Sequence, residues 1–225
     1  MKVIGLSGAQ GGGKSSLLIE LHNRGWLLDQ FRVSRAVQAE LGWDNLEHVM
    51  GAWDNMVTFQ QEVFKQKFNR DLTLSLQRPH EFYGQRKGPQ DITLTPKDND
   101  YKNDIILTER TFADLAAYTA LWVWKHVDKG SITLNGASLF LTQYLADCTR
   151  AHKQVYTGTL ILPYMDHVAW QVDLHRAKKQ DIDAVQEDIE RFLERKLPID
   201  HRKLAITAKT FEDRAIQVET FLRTL

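Results

Sequence analysis

Apolar residues fall into short unbroken runs that alternate with longer stretches of helical spacing. The short runs lie at residues 3–6, 26–28, 104–108, 158–162 and 204–207. The helical stretches follow the first glycine-rich turn and then lie near residues 34–42, 54–76, 111–125, 138–153, 170–196 and 210–225. Unbroken runs predict buried strands, and apolar spacings of three to four residues predict amphipathic helices. The alternation predicts an α/β fold of three layers, with a mostly parallel sheet between helices on both faces.

Residues 77–103 depart from this alternation. They contain three prolines, two glycines and many charges, with little apolar periodicity. This composition predicts a polar loop or insertion within a single domain that spans residues 1–225. Two interpretations stay open. The stretch is either a solvated connection or a flap over the substrate, whose Arg78, Arg86 and Lys87 would meet a phosphate.

The first predicted strand runs into a glycine-rich turn and then a helix, and this segment matches the phosphate-loop pattern G-x-x-x-x-G-K-[ST] from Gly8 to Ser15. Glycines let successive backbone N–H groups point at phosphate oxygens, and the helix N-terminus favours the same anion. We expect Lys14 to be a solvated cation that reaches the β- and γ-phosphates of ATP, and Ser15 to ligate Mg²⁺. The predicted nucleotide-binding residues are Gly8, Gly11, Gly12, Gly13, Lys14, Ser15 and Ser16.

The charge balance and the cysteine content bear on the binding partners and the cellular compartment of the protein. The 225 residues include 29 Lys and Arg against 29 Asp and Glu, so no overall charge indicates nucleic acid or membrane, although a local basic groove stays open. The single cysteine, Cys148, excludes an intramolecular disulfide and fits a reducing compartment. No apolar run reaches membrane-spanning length and no leader is evident, so we expect a cytoplasmic protein. The oligomeric state stays open, a homodimer included.

Carboxylates follow two of the predicted strands. In parallel α/β sheets, ligands bind beyond the carboxyl ends of strands, so Asp29 and Glu109 are both expected near the reacting phosphate. Asp29 is the candidate base, with an ordinary turn residue as its alternative, and Glu109 is its competitor and a candidate Mg²⁺ ligand. Arg110 is expected to grip the transferring phosphoryl group or the acceptor phosphate.

Further arginines lie where an anionic acceptor would bind. Arg32 and Arg35 follow the second predicted strand, and Arg176 belongs to a cationic run at residues 175–179 near a helix start. Because a helix N-terminus prefers anions, cations there suggest an arriving negative group, although a solvated helix face is the alternative. The absence of an Asn-Lys-x-Asp stretch argues against a GTPase.

The residues also resemble a family. The phosphate loop, the Glu109-Arg110-Thr111 run with Asp114 and Tyr118 after it, and the Asp173-x-x-Arg176 pattern resemble the P-loop nucleoside and nucleotide kinases. These motifs look like the AAA-type kinase group around the nicotinamide-riboside kinase domain. More broadly, they are similar to the thymidylate-kinase and deoxynucleoside-kinase branches. Bacteriophages encode such kinases, including ones that act on deoxynucleotides or on 5-hydroxymethyluracil in DNA. The resemblance implies that Asp114 binds the acceptor and that Arg176 closes on the transition state.

Three departures from the family pattern concern the acceptor: Glu replaces Asp at position 109, Thr replaces Gly at 111, and residues 77–103 are inserted. Three functions therefore stay open. The preferred one is an ATP- and Mg²⁺-dependent kinase for a nucleoside- or nucleotide-type acceptor. The second is a DNA-base kinase, for which Phe82 and Tyr83 of the insertion would add aromatic contacts. The third is an ATP-dependent switch for a protein partner.

Overall fold

The computed structural model describes residues 1–29, 31–43, 50–77, 104–163 and 179–225. The strands are β1 (Lys2–Ser7), β2 (Leu27–Asp29), β3 (Ile105–Glu109), β4 (Tyr156–Ile161) and β5 (Arg202–Ala205). The helices are α1 (Lys14–Asn23), α2 (Val33–Glu40), α3 (Trp53–Leu76), α4 (Phe112–Asp128), α5 (Leu134–Val155), α6 (Lys179–Arg195) and α7 (Phe211–Leu222). Within these residues, no helix has the length and apolar content needed to cross a membrane.

The five strands form one parallel sheet in the order β2-β3-β1-β4-β5. β1 occupies the centre, where Val3 is in register with Ile106 of β3 and Ile4 with Gly158 of β4. A strand enclosed on both edges and both faces can be apolar throughout, which is why β1 reads as an unbroken apolar run. The predicted α/β fold with a parallel sheet is confirmed.

Two hydrophobic cores lie on opposite faces of the sheet, so that successive β1 residues such as Val3 and Ile4 belong to different cores. The larger core collects apolar side chains from α2, α3, α4, α5 and α6. The smaller core collects them from α1 and α7. The result is the predicted three-layer arrangement of helices, sheet and helices.

Element boundaries follow local capping chemistry. The helix predicted from residue 138 begins at Leu134, because the Thr133 hydroxyl accepts a hydrogen bond from Gly136 N at 3.2 Å and caps the helix. The remaining strands and helices lie within a few residues of their predicted positions where they are described. The predicted insertion cations Arg78, Arg86 and Lys87, and the basic run with Arg176, lie outside the described residues.

Candidate active site

The carboxyl ends of β1, β2 and β3 meet at one edge of the sheet, and the glycine-rich turn after β1 lies there. Its backbone takes positive φ at Gly8 (149°), Gly11 (86°) and Gly13 (81°). A Cβ at Gly8 would lie 2.3 Å from the carbonyl oxygen of Leu162, so this position has no room for a side chain. The glycines are therefore required by the curvature of the loop and by the close approach of the β4 end.

The loop ends at the N-terminus of α1. Gly13 is the N-cap and supplies no side-chain cap, and the first turn contains no acidic residue. The first N–H groups of a helix have no intrahelical partners, so the start of α1 offers donors to an anion at the end of the loop. Ser15 and Ser16 in this turn are exposed. The site is therefore suited to phosphate, which is the ligand predicted for these residues.

Lys14 lies inside the loop. Its side chain is buried, and Nζ donates to the carbonyl oxygens of Gly8 at 2.5 Å and Ala9 at 2.9 Å. Burial lowers the pKa of Lys14, while the nearby Asp114 carboxylate opposes this shift. The expectation of a solvated cation is wrong, because the loop curls around the ammonium group and supplies its hydrogen-bond partners.

Ser15 and Glu109 form the contact between the loop and β3. The Ser15 hydroxyl donates to Glu109 Oε1 at 3.0 Å, across the β1–β3 pairing that brings the two strand ends together. A hydroxyl and a carboxylate are oxygen donors of the kind that Mg²⁺ accepts. Within the described residues no cluster of three or more His, Cys, Asp or Glu side chains exists. Mg²⁺ that also binds water and substrate phosphates needs only one or two protein ligands, so this pair fits that ion.

Asp114 holds the end of β1 against the start of α4. It is 1% exposed and accepts hydrogen bonds from Ser7 Oγ at 2.7 Å, Gly8 N at 3.2 Å and Thr111 N at 2.9 Å. Thr111 is the N-cap of α4, and Asp114 completes a capping box with it. The predicted acceptor-binding role of Asp114 does not fit this placement, since its oxygens are buried and engaged by the protein.

Arg110 has a strained backbone. Its φ is 63°, a left-handed conformation that costs a non-glycine residue about 1 kcal/mol or more. Its N–H donates to Leu6 O at 3.0 Å, which ties the turn to β1. The guanidinium lies over the Tyr118 ring, 5.4 Å from the ring centre, and the Tyr118 hydroxyl accepts from Gln10 N of the loop at 2.9 Å. Burial raises the pKa of Tyr118, so the phenol retains its proton. With this left-handed turn, the Arg110 guanidinium lies against Tyr118 of α4.

Asp29, at the end of β2, is paired with Arg70 of α3. Asp29 is 4% exposed, and Arg70 Nε donates to both of its carboxylate oxygens at 2.9 Å. The Arg70 guanidinium also lies 4.7 Å above the centre of the Phe31 ring. Asp29 is thus an ion-pair partner rather than a free base in this arrangement. Arg70 was not predicted from the sequence, because it lies 41 positions from Asp29 within a long helix. The one available signal was Asp29 itself, since a carboxylate at the end of a buried strand needs a cation nearby.

A second ion pair lies deeper on α3. Lys67 and Asp71 are 1% and 0% exposed, and Lys67 Nζ donates to Asp71 Oδ1 at 3.0 Å and to Thr108 Oγ1 at 2.8 Å. The Tyr156 hydroxyl donates to the other Asp71 oxygen at 2.5 Å. Burial raises the pKa of Asp71 while the Lys67 ammonium opposes the shift. Because each charge is partnered, this pair fixes α3, and with it the neighbouring Arg70, against β3 and β4.

Comparison with known proteins gives a fold. No known family and no curated protein sequence match the chain. Among solved structures, thymidylate kinase from Candida albicans matches with a TM-score of 0.54 and 14% identity, over 99% of this chain and 91% of that one. The chain has the P-loop fold of thymidylate kinase. At 14% identity the likeness establishes the fold alone, so the function must be argued from the residues of the site.

Within the P-loop fold, the predicted residues divide into three groups. Lys14, Ser15 and Glu109 lie together at the loop. Arg110 directly follows Glu109 at the end of β3. Asp29 lies at the end of β2, beside β3 in the sheet. Two further arginines are exposed at the start of α2, Arg32 at its N-cap and Arg35 in its first turn.

Proposed function

We propose that this protein is an ATP- and Mg²⁺-dependent kinase that transfers the γ-phosphoryl group to a nucleoside or nucleotide. One observation supports this most directly: the Ser15 hydroxyl of the phosphate loop lies 3.0 Å from Glu109, and Arg110 follows Glu109 directly. An anion-binding loop thus faces a carboxylate and a guanidinium. Phosphoryl transfer needs little more than positioning and charge stabilisation, and these groups supply both.

The donor side works through the backbone and Lys14. Loop N–H groups and the start of α1 hold the phosphates of ATP. Lys14 exchanges its bonds to Gly8 O and Ala9 O for phosphate oxygens, since ammonium–phosphate bonds are stronger than those to neutral carbonyls. Ser15 and Glu109 would hold Mg²⁺, which neutralises charge on the phosphates when bound.

The acceptor side works through side chains. Arg70, with 38% of its side chain exposed, is able to bind an acceptor oxygen while it remains beside Asp29. Asp29 would then lie beside the bound acceptor, where its carboxylate is placed to orient or deprotonate the attacking hydroxyl. Arg32 and Arg35 supply further positive charge at the same strand end. Arg110 stabilises the charge that moves from donor to acceptor.

The decisive experiment is a transfer assay with γ-labelled ATP and Mg²⁺ against nucleosides, nucleotides and DNA that contains 5-hydroxymethyluracil. We expect acceptor-dependent ADP release with a free nucleoside or nucleotide, and none with the Lys14→Met variant. Transfer of the label to the DNA alone would show that the acceptor is a base in DNA and not a free nucleoside or nucleotide. Nucleotide binding without transfer to any acceptor would contradict the kinase proposal and favour the ATP-dependent switch.

A further inference from the structure

Three consecutive backbone N–H groups at the start of the phosphate loop bind side chains. Gly8 N donates to Asp114 Oδ1 at 3.2 Å, Ala9 N to Gln186 Oε1 at 2.8 Å, and Gln10 N to the Tyr118 hydroxyl at 2.9 Å. Asp114 and Tyr118 come from α4, whereas Gln186 comes from α6. We call these three side chains the amide clamp. The clamp engages the first part of the loop, and Gly12 N donates to Ala9 O at 3.4 Å, so the N–H groups at the start of α1 remain to face an anion.

The Gln186 amide has a defined orientation. It is largely buried, and its Nε2 donates to Glu190 Oε1 at 2.7 Å, one helical turn further along α6. A glutamine side chain has one acceptor oxygen and one donor nitrogen, so the Ala9 N–H and the Glu190 carboxylate together select one orientation. A leucine here would leave Ala9 N without its acceptor, and a glutamate would oppose the Glu190 carboxylate.

The helix that presents Gln186 is itself firmly held. Lys125 of α4 contacts Asp181 of α6 at 2.5 Å. Ile182, Val185 and Ile189 of α6 are at most 1% exposed and belong to the larger core. Gln186 therefore reaches the loop from an element whose position is set by packing, which is the condition for holding a neighbour in place.

We infer that Gln186 is a positioning residue that holds the phosphate loop in the curvature needed for ATP. The inference rests on the proposed function for the identity of the nucleotide. Glycine-rich backbone has many conformations, so the bond at Ala9 N restricts the loop before the ligand arrives. Without it, binding energy from the phosphates must also order the loop, and affinity for ATP falls. The described hydrogen bonds of Gln186 join it to Ala9 N and Glu190, so we expect the acceptor side to be unaffected.

The test compares Gln186→Leu, Gln186→Glu and the double change Gln186→Glu with Glu190→Gln. The double change restores one carboxylate and one amide on the same helical turn, with their positions exchanged. Gln143→Leu is the matched control, because Gln143 on α5 donates to Asp147, four residues on, at 3.0 Å on an exposed surface. The readouts are the Kd of ATP by calorimetry, hydrogen exchange of the loop amides without nucleotide, and the separate KM values of ATP and acceptor.

Loss of one hydrogen bond corresponds to about a tenfold change in affinity. We therefore expect Gln186→Leu to weaken ATP binding about tenfold and to speed exchange at Ala9, because Ala9 N loses its acceptor. Gln186→Glu keeps an acceptor oxygen but is repelled by Glu190, so we expect a smaller loss of ATP affinity. The double change should restore most of the affinity, and Gln143→Leu should match the wild type. Acceptor KM should stay unchanged throughout.

Unchanged ATP Kd and loop exchange in a folded Gln186→Leu variant would overturn the inference. Equal shifts of both KM values, together with a lower Tm, would overturn it too, because they indicate general structural loss. If Gln186→Leu does not fold, Gln186→Glu and its double change with Glu190→Gln provide the test. Equal ATP Kd and loop exchange in these two variants and the wild type would then overturn the inference. A wild type that binds ATP but transfers nothing would remove the kinase proposal alone, since the Kd and exchange readouts need no turnover.

Discussion

The donor and acceptor sides of the proposed site share one edge of the sheet but are built from different material. The donor side is mostly backbone: a continuous turn from Gly8 to Ser15 and the start of α1. The acceptor side is an ion pair between Asp29 of β2 and Arg70 of α3, which are 41 positions apart. Backbone donors require a particular local conformation and so leave a local sequence signature. Side chains from separate elements require only that the fold brings them together, which leaves no such signature.

The largest effect should follow from Lys14→Met, which removes the donor side's only loop ammonium. We expect kcat/KM to fall about 10³-fold, the upper range for the loss of one preorganised charge stabiliser. Acceptor binding measured without ATP should not change. Lys65→Met is the control, since Lys65 is an exposed lysine of α3 that pairs with Glu62 at 3.2 Å. Near-normal turnover in Lys14→Met would remove the donor assignment.

Glu109→Gln tests the boundary between the two sides. We expect kcat to fall about 10²-fold and the Mg²⁺ requirement to rise, because the amide keeps a hydrogen bond to Ser15 but loses the charge that attracts the ion. A Mg²⁺ titration at saturating ATP measures this. Asp29→Asn is the comparison, and it should lower kcat without changing the Mg²⁺ requirement. Equal, small effects of both changes would show that neither Glu109 nor Asp29 is catalytic.

Arg70→Gln tests the acceptor side. We expect acceptor KM to rise about tenfold with little change in ATP KM, since charged hydrogen bonds contribute about 1.5–3 kcal/mol. Because Arg70→Gln leaves Asp29 buried without its cation, the double change with Asp29→Asn should melt at a higher temperature than Arg70→Gln alone. Steady-state kinetics in both substrates and thermal melts measure these effects. A larger rise in ATP KM than in acceptor KM would place Arg70 on the donor side.

The smallest effect concerns a buried histidine, His152, which belongs to neither the donor side nor the acceptor side. His152 Nε2 lies 2.9 Å from Thr159 Oγ1, which is 3.0 Å from His201 Nε2. Burial, then the charges of His201, Lys203 and Lys67, lower the pKa of His152 well below 6.5. The unfolded chain therefore binds the proton more readily, so stability is full above about pH 6.5 and falls below it by up to about 1.4 kcal/mol per pH unit.

Urea unfolding at pH 7.5, 6.5 and 5.5 checks this sign. His152→Gln should flatten the loss of stability below pH 6.5 without altering either KM. A variant profile as steep as that of the wild type would show that His152 does not contribute to the acid sensitivity.

The same contrast explains what could be predicted from the sequence. The inner strands β1, β3 and β4 were predictable because each contains an apolar run enclosed by the sheet. The loop was predictable because its glycines are required by backbone geometry at Gly8 and Gly13. Arg70 and Gln186 were not predictable, since each acts through a partner distant in sequence, Asp29 and Ala9. The resemblance drew attention to Asp114 but not to its role, because a buried capping carboxylate and an acceptor ligand have the same side chain.

The amide clamp also affects when, during synthesis and folding, the phosphate loop reaches its final conformation. The loop belongs to the first turn of the chain, yet the partners of Gly8, Gln10 and Ala9 lie 106, 108 and 177 positions away from them. Contacts so distant along the chain form slowly and late, and a nascent chain emerges from the ribosome in sequence order. A chain that has not yet reached Gln186 lacks part of the clamp. Under the proposed function, tight binding of ATP would therefore come only after α6 has been made and packed against the loop.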